Sequence, residues 1–121
     1  MAEQVSPEPF YSMSRRAGDM LFLSGFGPVV GADVVGENIE EQTIFTMDNM
    51  VQVLESEGAT FDDVVRVNVF LLVMADRDGF NRTYMRYFKN KSRMPTRRLV
   101  GAGDMYKGIL VEIDAVAYLG E

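Results

Sequence analysis

Pro95-Thr96-Arg97-Arg98-Leu99-Val100, a glycine-punctuated turn, and Ile109-Leu110-Val111-Glu112-Ile113-Asp114-Ala115-Val116-Ala117 decide how this chain is read. Both runs are rich in branched aliphatics and read as β-strands, with Gly101, Gly103 and Gly108 freeing the backbone between them. A turn centred between Asp104 and Met105 puts Arg97 and Glu112 equally far from it. In an antiparallel hairpin the two would be cross-strand neighbours, about 5 Å apart at Cβ. Such a pair offers a forked cation for a carboxylate beside an anion that can handle water or a proton. We take Arg97 and Glu112 as the expected functional centre.

The residues that are missing narrow the chemistry. The 121-residue chain has neither cysteine nor histidine. Thiol nucleophiles, disulfides, thiolate metal sites, Ser-His-Asp triads and the common zinc sites are therefore excluded. Carboxylates, Arg, Lys, Tyr, Ser/Thr, backbone groups and water must do any work. Length and an apolar content of 47% fit one soluble domain, residues 1–121. No apolar run approaches the ~18–20 residues that span a bilayer. Met1-Ala2-Glu3-Gln4 lacks the basic and apolar regions of a leader, so a cytoplasmic location is expected.

Net charge is −6, which argues against a nucleic-acid partner. One local exception is Lys89 to Arg98, with five cations in ten residues. A helix C-terminus accounts for Lys89, Lys91 and Arg93 through the dipole. It does not account for Arg97, which lies beyond Pro95.

Reading outward, Met1 to Pro9 is a lead-in, and Phe10–Arg16 and Met20–Gly25 form an opening hairpin around Ala17-Gly18-Asp19. Residues 25–37 read as a loop with some extended character. Asn38 caps a helix of about five turns, with Glu41 in capping-box position and Gly58 as its stop. Its expected inner face is Ile44, Met47, Val51 and Leu54. Thr60 and Asp63 suggest a short helical turn before a strand from Val64 to Met74. A second helix starts near Asp76 or Asp78, packs Phe80, Tyr84, Tyr87 and Phe88 inward, and ends before Pro95. The order is β-β-α-β-α-β-β.

In the last strand Ile109, Val111, Ile113, Ala115 and Ala117 make one apolar face, suited to lie under helices. A sheet with helices on one side leaves its other side bare. Val67, Val69 and Phe70 look too apolar for both faces of that strand to meet water, so other copies of the chain are expected to cover the bare face.

These pieces resemble the RidA (YjgF) family of reactive-intermediate deaminases, once called L-PSP endoribonucleases. The resemblance runs through Gly18–Gly25, Gln42 with Met47-Asp48-Asn49, and Phe80-Asn81-x-x-Tyr84. Its most specific part is Pro95-Thr96-Arg97 followed fifteen residues later by Glu112 within Val111–Ala117. It implies a chorismate-mutase-like α+β fold and a homotrimer with a central β-barrel, helices outside and sites between subunits. It also implies hydrolysis of imine and enamine products such as 2-iminopropanoate to 2-keto acids and ammonia, without cofactor or metal.

By the same resemblance Arg97 grips the substrate carboxylate, for which a planar fork is better suited than Lys. The alternative is a structural ion pair with Glu112. Glu112 orients water or relays a proton to the leaving nitrogen, or else merely holds Arg97. Asp114, two residues on, reads as structural. The Gly25 amide and Leu99 carbonyl occupy backbone-contact positions, and Ser24 and Tyr11 line the site. Tyr11 closes the cleft from a neighbouring subunit, or serves as a packing anchor. Asn81 lines or braces the site, or is a helix-surface amide.

The sequence departs from the family pattern at Leu99, where cysteine is common, at Phe26, and at Arg98. The segment between Asn81 and Pro95 is also one residue short. A noncatalytic module for small carboxylates would use the same Arg97. Ribonuclease activity, from the older name, fits poorly with the acidic balance and missing histidine.

Overall fold

The computed structural model describes residues 10–120, so the lead-in from Met1 to Pro9 lies outside the described residues. Strands β1 (Ser14–Ala17) and β2 (Met20–Phe26) form the expected opening hairpin, β1 being shorter than the sequence suggested. Leu21 and Leu23 point inward and Phe22 outward. The alternation then breaks. Leu23 pairs with Ala115, but the next pair is Phe26 with Ile113, so a bulge at Ser24-Gly25 returns Phe26 to the core. The loop that follows holds a small hairpin, β3 (Val29–Val30) and β4 (Asp33–Val34).

Helix α1 (Ile39–Ser56) starts as its capping residues dictate. The Asn38 side chain accepts from the Glu41 amide at 2.9 Å, and the Glu41 carboxylate accepts from the Glu37 amide at 2.9 Å. Gly58 ends it in the left-handed conformation, φ +77°. The buried face is rotated from the apolar pattern. Ile44 and Val51 sit on its flank, while Gln42, Thr43, Thr46 and Asn49 are buried beside Met47, Met50 and Leu54. The buried polar groups staple loops. Gln42 accepts from the Leu110 amide at 2.7 Å and donates to the Gly36 carbonyl at 3.1 Å. Asn49 donates to the carbonyls of Gly27 and Val29 at 3.1 and 2.9 Å.

After a turn at Phe61–Asp63, closed by the Thr60/Asp63 capping box, β5 (Val64–Leu71) buries Val64, Val67, Val69 and Leu71. It ends three residues before the expected Met74. Helix α2 (Arg77–Tyr84) contributes Phe80 and Tyr84 to an aromatic cluster completed by Phe88 and Phe61. Strands β6 (Thr96–Gly101) and β7 (Val111–Tyr118) complete the fold.

The main sheet runs β1-β2-β7-β5-β6, with β5–β6 parallel and the other pairs antiparallel. The expected final hairpin is absent, because β5 lies between β6 and β7. The reason lies in β5 itself: it buries Val64, Val67, Val69 and Leu71 and is best placed with a neighbour on each side. A β5-α2-β6 crossover brings β6 parallel to one flank and leaves the other for β7. The long connection between β6 and β7 is no tight reversal.

Both helices cover one face. The other face carries Phe22, Asn68, Phe70, Val100, Glu112, Asp114 and Val116, with Phe22 46% exposed. Among the described residues, no helix is long and apolar enough to cross a membrane.

Candidate functional site

Strand register divides the expected site residues into two groups. Arg97 pairs with Val67, whose side chain is wholly buried on the helix face, and Glu112 pairs with Phe70 on the opposite face. Within one chain, therefore, Arg97 and Glu112 point to opposite sides of the sheet and are not cross-strand neighbours. The intervening β5 and its period-two alternation impose this separation.

Arg97 is half-buried where the edge strand meets α2. Its Nη1 donates to Asn81 Oδ1 at 2.7 Å, and its Cζ lies 5.1 Å from the Tyr84 ring centroid and 5.7 Å from that of Phe80. Asn81, Phe80 and Tyr84 occupy adjacent and i+4 positions on α2, so one helical turn presents them together. The ion pairs among the described residues are Arg16–Asp19 and Arg82–Glu40, and neither involves Arg97. The expected alternative, a structural ion pair with Glu112, does not form within one chain.

The Tyr84 hydroxyl is buried without a hydrogen-bond partner among the described residues. Burial pushes its pKa up to about 12, and the nearby guanidinium pulls the other way. Leu99 follows Arg97 on the same strand face, half-buried opposite Val69.

Glu112 belongs to a separate cleft of about 610 Å³ shared with Tyr11, Gly25, Tyr106, Lys107 and Ile109. A Cβ on Gly25 would overlap Glu112 Oε2, so a larger residue there would push the carboxylate out of its present position. Partial burial raises the Glu112 pKa, and the Asp114 carboxylate two residues on adds to the effect. Asp114 itself accepts from Asn68 Nδ2 at 2.9 Å across the sheet, in keeping with a structural role.

Ser24 donates to the Ser12 carbonyl and anchors the segment that carries Tyr11. It does not line the cleft. Tyr11, 57% exposed, lies with the Glu112 of its own chain rather than with Arg97.

Arg97 and Asn81 thus form one half-site and Glu112, Gly25 and Tyr11 another. A forked cation with no carboxylate partner can take a carboxylate in bidentate fashion. A carboxyl group whose pKa is raised above its ordinary value is a better proton acceptor and can return the proton it takes. Among the described residues, no group of three or more Asp or Glu is placed to share a metal ion.

Sequence reasoning missed Tyr106 and Lys107 of the cleft and the aromatic support under Arg97. Phe80 and Tyr84 were legible as inward-facing, but their contact with Arg97 depends on the parallel placement of β6. Nothing in the Tyr106-Lys107-Gly108 turn marked it as a cleft wall.

Comparison with known proteins agrees with this architecture. The family described as "Endoribonuclease L-PSP" matches residues 1–119. A RutC family protein of Saccharolobus solfataricus is 40% identical over 118 residues, covering 94% of this chain and 92% of that protein. The chloroplastic Reactive Intermediate Deaminase A of Arabidopsis thaliana is 30% identical over 111 residues, 90% of this chain and 58% of that protein. The solved structure of a Rid-family protein from Yersinia pestis superposes with a TM-score of 0.86 at 30% identity, covering 97% of this chain and 91% of that one.

Proposed function

The chain belongs to the L-PSP/Rid family, and from that premise we propose that it hydrolyses 2-imino and 2-enamino acids to 2-keto acids and ammonia. One observation carries the reading. The Arg97 guanidinium is held by Asn81 and two aromatic rings, and no carboxylate of the described residues neutralises it. That is the state of a cation reserved for an anionic ligand.

In this reading Arg97 fixes the substrate carboxylate and thereby the imine carbon beside it. Glu112 takes a proton from water as the oxygen bonds to that carbon. The C=N π bond opens and that proton passes to nitrogen, giving a carbinolamine. Its hydroxyl then gives a second proton through Glu112 to the nitrogen. The C=O bond forms as the C–N bond breaks, and ammonia leaves. No electrons change hands, and no cofactor is required. An imine beside a carboxylate is already prone to hydrolysis, so positioning plus one carboxylate suffices. Leu99 and Gly25 offer backbone groups, Tyr11 frames the cleft, and Ser24 anchors the segment that carries Tyr11.

The two half-sites face opposite sides of one sheet, so in this proposal they meet only between copies of the chain. A homotrimer whose bare faces enclose a central barrel would bring the Arg97 edge of one copy to the Glu112 cleft of the next. The decisive experiment follows ammonia release from freshly generated 2-iminopropanoate. Wild-type protein should accelerate it, and Arg97→Ala should return it to the uncatalysed rate while the protein remains folded and assembled. Saturable keto-acid binding without acceleration would instead make the protein a binding module.

A further inference from the structure

Lys107 is the one non-glycine residue with a left-handed backbone among the described residues, at φ 52° and ψ 24°. A side chain held there costs roughly 1 kcal/mol relative to the right-handed region. Gly103 and Gly108 already take positive φ in the same connection, yet position 107 carries a lysine. The exposed Lys107 is a lining residue of the Glu112 cleft, and its Nζ lies 5.4 Å from the ring centroid of Tyr106, another wall of that cleft. Neither ion pair among the described residues involves it. The cleft thus holds a half-buried carboxylate, a separate unpaired cation leaning on an aromatic ring, and apolar walls that include Met13 and Ile109. Its volume of about 610 Å³ leaves room for a substrate side chain well beyond a methyl group.

We propose that the Lys107 ammonium is a second anion-binding point that receives an acidic group at the far end of the substrate. It would thereby favour 2-imino acids bearing a side-chain carboxylate over neutral ones of equal length. This rests on the function proposed above, in which Arg97 takes the carboxylate common to all such substrates. A second cation is then free to read what differs between them. An ammonium held over a ring face keeps its donors available to a ligand while losing little freedom on binding.

The test compares 2-oxoglutarate with 2-oxopentanoate by calorimetric titration, and the corresponding imino acids by ammonia release. Wild-type protein should prefer the dicarboxylate, and rising ionic strength should erode the preference. In Lys107→Gln the preference ratio should fall roughly tenfold, the scale of one charge-assisted hydrogen bond. Lys107→Gly should lose the same preference with an equal or higher thermal midpoint, because glycine relieves the left-handed backbone. That separates ligand recognition from a role in holding the turn.

An unchanged ratio in both variants overturns the proposal. So does an equal weakening of both ligands, which would place Lys107 on the shared carboxylate, and so does the absence of saturable binding by either acid. Should wild-type protein accelerate no imine hydrolysis, the proposed activity fails while the binding ratio still decides the role of Lys107.

Discussion

Asn81 shows what a single residue contributes to this site. Its side-chain oxygen fixes one nitrogen of the Arg97 fork at 2.7 Å, leaving the rest of the guanidinium to a ligand. Asn81→Ala should lower kcat/KM on 2-iminopropanoate roughly tenfold, the scale of one lost hydrogen bond to a charged group. Thermal melting should change little, because the bond lies at a sheet edge. Glu112 carries the second prediction, a pH dependence. Burial and Asp114 raise its pKa, so the folded protein favours the protonated form more than the unfolded chain does. Its contribution to stability is therefore complete at low pH and is lost as pH rises through the raised pKa. The carboxylate accepts the proton in the proposed reaction, so activity should rise over the same range in which stability falls. Glu112→Gln should abolish the rising limb of the rate profile and flatten the stability loss in that window. Chemical denaturation at a series of pH values measures the second effect.

At the scale of elements, legibility follows what each signal encodes. Caps announce themselves locally, and Asn38, Gly58 and the Thr60/Asp63 box stand where the sequence put them. The inner face of α1 is legible at Met47 and Leu54 but not at Gln42 and Asn49, because apolar periodicity cannot see an amide buried to hold a loop. Gln42 and Asn49 match the family pattern, and the reason is visible only in the structure: each satisfies backbone groups of segments distant in sequence. Gln42→Leu would leave the Leu110 amide without its acceptor at the start of β7. The expected loss is about 1–3 kcal/mol of unfolding free energy, the penalty of an orphaned buried donor, read from urea denaturation. Thr43, equally buried but with no hydrogen-bond partner among the described residues, makes a control. Thr43→Val should be neutral or stabilising, since it removes a hydroxyl that has no bond to lose. The hairpin of β6 and β7 failed for a related reason. Symmetry about a turn is a local argument, whereas pairing is decided by the strand that most needs two neighbours, and that strand is β5.

For the whole molecule, the sheet separates the two groups that sequence reasoning had joined. Residue type and spacing single out Arg97 and Glu112 as candidates, yet no chain-local argument could show that β5 would turn them to opposite faces. If both serve one reaction, they do so from different copies, and that arrangement has a distinctive consequence. Arg97→Ala and Glu112→Gln should each be inactive as pure assemblies. Co-assembled at equal ratio, they should regain activity, because some interfaces then join an intact Arg97 from one variant to an intact Glu112 from the other. Random mixing in a cyclic assembly with one such interface per copy makes roughly a quarter of the sites whole. Ammonia release from the co-refolded mixture, set against each variant refolded alone, measures the fraction. A site built within a single chain would give no recovery at any ratio, since every chain in the mixture lacks one of the two groups.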